Sequence, residues 1–216
     1  MAENPDKSTP ESEEPVATRL ILVRHGKTAT TGQVLPGRAH GLLLAEEGRS
    51  QAEEVAKELA FIEKIAAIYS SPLERAMETA APLAAARQMV PHVDERLYEC
   101  DFGSWTGRRL DELTKLPEWR LIQHSPSKFT FPEGESFRSM STRMVDFLEW
   151  VHATHRGETV VAFVVGKDPA PQVKDLKDFL TLRLAKYKIP REIVFLDGLP
   201  HTPTGKIKKF ELRDRV

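Results

Sequence analysis

One cysteine, Cys100, stands in 216 residues, so no disulfide can close within the chain, and such sparse cysteine fits a reducing compartment. No apolar run approaches membrane-spanning length, and the N-terminus lacks the apolar core of a secretion signal, so the chain reads as cytoplasmic with no membrane partner. Neither sign of charge dominates. The 31 Lys and Arg against 32 Asp and Glu leave a net charge of -1, which gives no argument for a nucleic-acid partner. Neither a metal nor an organic cofactor is expected. What remains is an ordinary soluble composition, long enough for one moderate domain or for a domain plus a fragment.

Residues 1–16 are rich in Pro, Ser and Glu without periodicity and read as a disordered tail. Leu20 to Val23 then form an apolar run typical of a buried parallel strand. The tripeptide Arg24-His25-Gly26 falls where such a strand ends, which is where parallel sheets place their chemistry. An arginine fork can bind a phosphoryl group, and an adjacent imidazole can attack it or carry a proton. A strand terminus bearing a solvated Arg-His pair explains the tripeptide equally well.

A glycine-studded connection, 28–48, leads to a helix over 49–60 whose Ala52, Val55, Ala56, Leu59 and Ala60 share one face. Residues 66–69 read as a second strand. Ser71, Pro72 and Glu74 then have the spacing of a capping box with proline at the first helical position. That places Arg75 in a first helical turn, where helix N–H groups already favour an anion. Taken alone, Arg75 is better explained as a solvated helix residue. Mixed helix and loop follow over 104–134, then a long amphipathic helix over 135–155 and a buried strand over 158–165.

LVRHGKT at 22–28, GRAHGLLLAEEGRSQA at 37–52 and IYSSPLERAMETA at 68–80, in that order and spacing, resemble the histidine phosphatase superfamily, the phosphoglycerate mutase-like proteins. LYECDFG at 97–103 and FPEGES at 131–136 extend the likeness, which covers roughly residues 18–163. The resemblance implies an α/β fold, a three-layer sandwich of the phosphoglycerate mutase-like type. It also implies His25 as phosphate acceptor, Arg24 and Arg75 as phosphate ligands, Glu99 as proton donor and acceptor, and a small phosphorylated metabolite as partner. Asp101-Phe102-Gly103 spells a kinase motif, but no other kinase signature accompanies it.

The resembling family follows its last such strand with Ser-His-Gly, whose histidine is another phosphate ligand. Here that place falls on Val165 or Gly166, neither of which carries a side-chain donor. The sandwich is therefore expected to be incomplete at its C-terminal end. YKIP at 187–190, REIVFLDGLP at 191–200 and PTGKI at 203–207 instead resemble the end of the C-terminal domain of acyl-CoA synthetases and other adenylate-forming enzymes. That likeness implies Lys206 as an adenylate-contacting lysine, although a solvated basic tail with Lys208 and Lys209 explains it better in a chain without the large nucleotide-binding domain.

The chain is thus expected to hold a phosphatase-like domain over 17–165 and a small α+β fragment over 166–216, joined between about 157 and 167. Three readings stand: a phosphatase or phosphomutase working through His25, impaired by the lost histidine; a non-catalytic phosphate-binding relic; or an accessory fragment of an acyl-CoA synthetase using Lys206 with a partner domain. Oligomeric state is left open.

Overall fold

The computed structural model describes residues 17–165 together with Lys174 and Asp178, both helical. The expected tail at 1–16, the junction beyond Val165, Gly166 and Lys206 lie outside the described residues.

Four strands form one parallel sheet: β1 (Arg19–Arg24), β2 (Ala67–Ser70), β3 (His92–Val93) and β4 (Thr159–Val164), in the order β1-β4-β2-β3. The helices within residues 17–165 are α1 (Glu46–Glu58), α2 (Glu74–Arg87), α3 (Leu110–Leu113), α4 (Pro117–His124) and α5 (Phe137–Thr154). β4 pairs on one side with β1, Arg19 opposite Thr159, and on the other with β2, Ala67 opposite Val160.

Alternation along these strands creates the layers, because successive side chains point to opposite faces. Ile21, Val23, Ile68, Val161 and Phe163 pack with Ala56 of α1 and Ala80, Leu83 and Ala84 of α2. The intervening Leu20, Ala67, Tyr69, Val160 and Ala162 pack with Phe147 and Val151 of α5. A sheet covered by helices on both faces is the three-layer α/β architecture expected of the sequence. A separate apolar cluster of Cys100, Phe102, Trp105, Leu113, Phe129 and Phe131 holds the 100–131 region together.

Several local expectations shift. α1 begins at Glu46, three residues before the expected start, and ends in a 3-10 turn over Leu59–Phe61. β1, read as a buried strand, lies at the edge of the four described strands and leaves Leu22 52% exposed. The capping box does not form. The N-cap of α2 is Leu73, without a side-chain cap: the helix starts later than expected, the Ser71 hydroxyl accepts the Leu73 N–H at 3.4 Å, and Glu74 turns away to accept the Gly41 N–H at 3.0 Å.

All strands being parallel, the C-terminal ends of β1, β2 and β4 lie along one edge, and β1 and β2 run out toward α1 and α2 there. The exit from β1 is tight. A Cβ on Gly26 would lie 2.5 Å from the Gly48 oxygen, and one on Gly48 would lie 2.1 Å from the Lys27 oxygen. Backbone meets backbone, so no flexible side chain can yield. Gly48→Ala is therefore expected to cost about 3 kcal/mol or to block folding, read as a loss of Tm by calorimetry. Unchanged stability would contradict this close packing.

Candidate active site

His25 follows β1 directly, and its backbone N–H donates to the Val164 carbonyl of β4 at 2.9 Å. Its Nδ1 lies 2.7 Å from the Gly26 carbonyl, an oxygen that can only accept, so Nδ1 carries the proton and Nε2 keeps its lone pair. Burial is the main cause that lowers the His25 pKa to about 4, with the positive charges of Arg75 and Arg24 acting the same way; the Gly26 hydrogen bond opposes them. At neutral pH the imidazole is uncharged, with its proton on Nδ1.

The turn bearing His25 is pinned to α2 by Thr79. The Thr79 hydroxyl donates to the Arg75 carbonyl at 2.6 Å and accepts the Gly26 N–H at 3.0 Å. One buried side chain thus fixes the histidine turn relative to the arginine one helical turn away.

Arg75 is fully buried. Its Nη2 donates to the Gly37 carbonyl at 2.8 Å, while Nε and Nη1 have no hydrogen-bond partner among the described residues. Desolvation pulls its pKa down and the carboxylates of Glu99 and Glu74 oppose that. A dry guanidinium with two donors unpartnered among the described residues costs stability. Gly37 supplies the accepting carbonyl at φ +51°, and a Cβ there would meet Thr106 Oγ1 at 2.9 Å and the Phe102 ring at 3.0 Å. Glu78 fastens the same loop further along, accepting the Leu44 N–H at 2.6 Å.

Glu99 comes from the other side. Its Oε1 accepts the Cys100 N–H at 2.9 Å. Desolvation raises its pKa above the usual carboxylate range, and the Cys100 hydrogen bond and the charges of Arg75, Arg143 and Arg24 only partly offset it. Arg24, exposed at the end of β1, is close enough for its charge to act on both His25 and Glu99.

The four residues singled out in the N-terminal region are thus brought together: a neutral imidazole, a buried guanidinium with free donors, a second arginine and an acid that resists ionisation. Such a set can bind a phosphoryl group, attack it and move a proton. Lys206 lies outside the described residues. Val165, one candidate for the place of the missing histidine, follows β4 half-buried and offers no side-chain donor. Gly37, Arg38 and Thr79 lay inside the quoted strings without any sign of their partners, and Arg143 lay outside all of them. Glu135 lay inside the noticed Gly-Glu-Ser string, but nothing in that string showed what it would hold. Cys100 is buried with its thiol pushed up to about 12, which leaves it unreactive.

The fold and the site define a parallel α/β protein with an anion-directed centre at its strand ends. The chain belongs to the histidine phosphatase superfamily (branch 1), whose family model matches residues 20–167. It is 39% identical over 148 residues to phosphoserine phosphatase 1 of Hydrogenobacter thermophilus, an alignment covering 66% of this chain and 68% of that protein. It is 35% identical over 157 residues to the metal-independent phosphoserine phosphatase of Arabidopsis thaliana, covering 69% of this chain and 64% of the relative. Among solved structures, the mycobacterial glucosyl-3-phosphoglycerate phosphatase superposes with a TM-score of 0.61 at 28% identity, over 69% of this chain and 74% of that one. Residues 150–206 also match the model of the AMP-binding enzyme C-terminal domain.

Proposed function

We propose that the protein is a phosphatase for small phosphate monoesters that works through a phosphohistidine at His25. The observation that carries the reading is the neutral His25, its proton on Nδ1, within electrostatic reach of a buried Arg75 whose Nε and Nη1 are unsatisfied by the described residues. Arg75 and Arg24 neutralise the phosphoryl oxygens. The Nε2 lone pair attacks phosphorus in line, the P–O ester bond breaks, and the departing oxygen takes the proton of Glu99. Glu99, now a carboxylate, removes a proton from water. The resulting hydroxide attacks phosphorus, the P–N bond breaks with its electrons returning to Nε2, and inorganic phosphate leaves. No metal or redox partner enters this balance.

O-phosphoserine is the first ester to try, because two relatives bear the name phosphoserine phosphatase. Transfer to a second hydroxyl instead of water would make the same site a mutase. The place of the missing histidine gives reason to expect slow turnover: one preorganised donor is worth about 2.7–4 kcal/mol, roughly a hundredfold to a thousandfold in rate. The phosphatase unit is proposed to end near residue 165, and the segment beyond it to be a separate fragment akin to the adenylate-forming enzymes. Turnover of an activated aryl phosphate that disappears in His25→Ala supports this reading. Its absence in the wild-type chain, with phosphate still bound, favours a binding relic.

The two titrations set the pH profile. His25 must be neutral, so kcat/KM rises as pH increases through about 4. Glu99 must be protonated for the first step, so the alkaline limb falls at its own raised pKa, above the ordinary 4.5. The expected profile is a bell whose alkaline limb lies above 4.5, and Glu99→Gln removes that limb. A wild-type profile with no alkaline limb, or a limb that persists in Glu99→Gln, would contradict these roles.

A further inference from the structure

We propose that Glu135, Arg143 and Arg38 are positioning residues that hold the main chain of Glu99 and thereby aim its carboxyl at the phosphoryl site. The proposal rests on the reading of Glu99 as proton donor and carries it to residues that touch neither His25 nor the expected ester.

The main-chain carbonyl of Glu99 receives two guanidinium donors from opposite sides of the fold. Arg143 Nη2, from α5, lies 3.0 Å away, and Arg38 Nε, from the loop after β1, also lies 3.0 Å away. Arg143 grips the preceding segment as well, its Nη1 donating at 2.6 Å to the carbonyls of both Arg96 and Tyr98. Arg38 lies over the Tyr98 ring, 4.9 Å from its centre.

Both arginines share one counter-ion. Glu135 Oε1 accepts Arg143 Nη2 at 2.6 Å, Arg38 Nη2 at 3.1 Å and the Asp101 N–H at 3.0 Å, while Oε2 accepts Arg143 Nε at 3.3 Å. A planar fork fixed at several carbonyls and a carboxylate loses its geometry if either partner goes, and a lysine cannot reproduce it. The carboxylate of Glu135 is held below the ordinary range by these donors, although its burial opposes them.

The clamp also links the two halves of the site. Arg38 follows Gly37, the residue whose carbonyl orders Arg75, so the dipeptide 37–38 touches the guanidinium of Arg75 and the backbone of Glu99. Stability alone does not require that connection. The charged groups acting on the Glu99 carboxyl are Arg24 from β1, Arg75 from α2 and Arg143 from α5, with the Cys100 N–H as its hydrogen-bond donor. The Oε1 of that carboxyl is held at 2.9 Å by the main-chain N–H of the next residue, Cys100, so its place follows the backbone that the clamp holds.

The test is Arg143→Lys in the full chain, which keeps the charge and removes the fork. The Glu99 carboxyl is followed by NMR titration with isotopically labelled glutamate, its signal assigned by its loss in Glu99→Gln. The expected result is that the midpoint falls from its raised wild-type value toward 4.5 as the loosened segment hydrates. With an aryl phosphate, kcat falls about ten- to a hundredfold while KM stays near the wild-type value. An unchanged Glu99 midpoint, however far Tm moves, overturns the clamp and leaves a merely structural arginine. If Arg143→Lys does not fold, Arg38→Lys at the half-exposed side of the clamp is held to the same titration outcomes. If the wild-type chain shows no turnover the phosphatase reading fails, yet the titration still decides the clamp.

Discussion

His25→Ala lowers turnover of an aryl phosphate by about 10^4-fold or more, because every later step passes through the bond that Nε2 forms. The corresponding barrier is about 5.5 kcal/mol. The loss is chemical rather than structural: His25 makes one local side-chain hydrogen bond, to the Gly26 carbonyl, and the Gly26 turn is held by the hydroxyl of Thr79. The folded protein is therefore expected to keep its Tm and its affinity for inorganic phosphate, measured as thermal protection by the anion. Residual activity within tenfold of wild type would mean that another group attacks phosphorus.

Arg75→Met separates function from stability in the opposite direction. A fully buried arginine with Nε and Nη1 unpartnered among the described residues costs free energy, and an apolar side chain of similar volume removes that cost. Tm is expected to stay level or rise, by up to about 1–3 kcal/mol in stability, even though the bond to the Gly37 carbonyl is lost. Turnover falls by about 10^3-fold or more, and protection by phosphate disappears, because the transferring group loses its buried cation. A structural arginine would behave otherwise, with a fall in Tm and little change in phosphate protection.

The strands were legible as unbroken apolar runs and the main helices as apolar faces at helical spacing. Val160 to Val164 is apolar without a break, and in the fold Val161 and Phe163 face one helical layer while Val160 and Ala162 face the other. His25 was legible because it directly follows a strand, and Arg75 because it stands in the first turn of the helix after the next strand. The N-terminus of α2 was misread because Ser71-Pro72-Glu74 has the composition of a cap, whereas Glu74 is drawn off by a loop 33 residues earlier in the chain. Arg143 was hidden for a related reason. On α5 it reads as one polar residue of an amphipathic helix, and its role exists only once the carbonyls of Arg96, Tyr98 and Glu99 are folded against it. Long-range bonds to backbone carbonyls leave no side-chain pattern in the sequence. The similarity of residues 150–206 to the AMP-binding enzyme C-terminal domain was also readable from the sequence, and it lies mostly beyond the residues the structure describes.

The most direct measurement of the central claim is capture of the covalent intermediate. The full chain is mixed with a radiolabelled phosphate ester, quenched in alkali within the first turnover, digested and mapped. A phosphoryl group on the peptide containing His25, stable in alkali, released by acid and absent from His25→Ala, is the predicted result. Turnover with label on another residue, or with no labelled protein at any time, would contradict a phosphohistidine at His25.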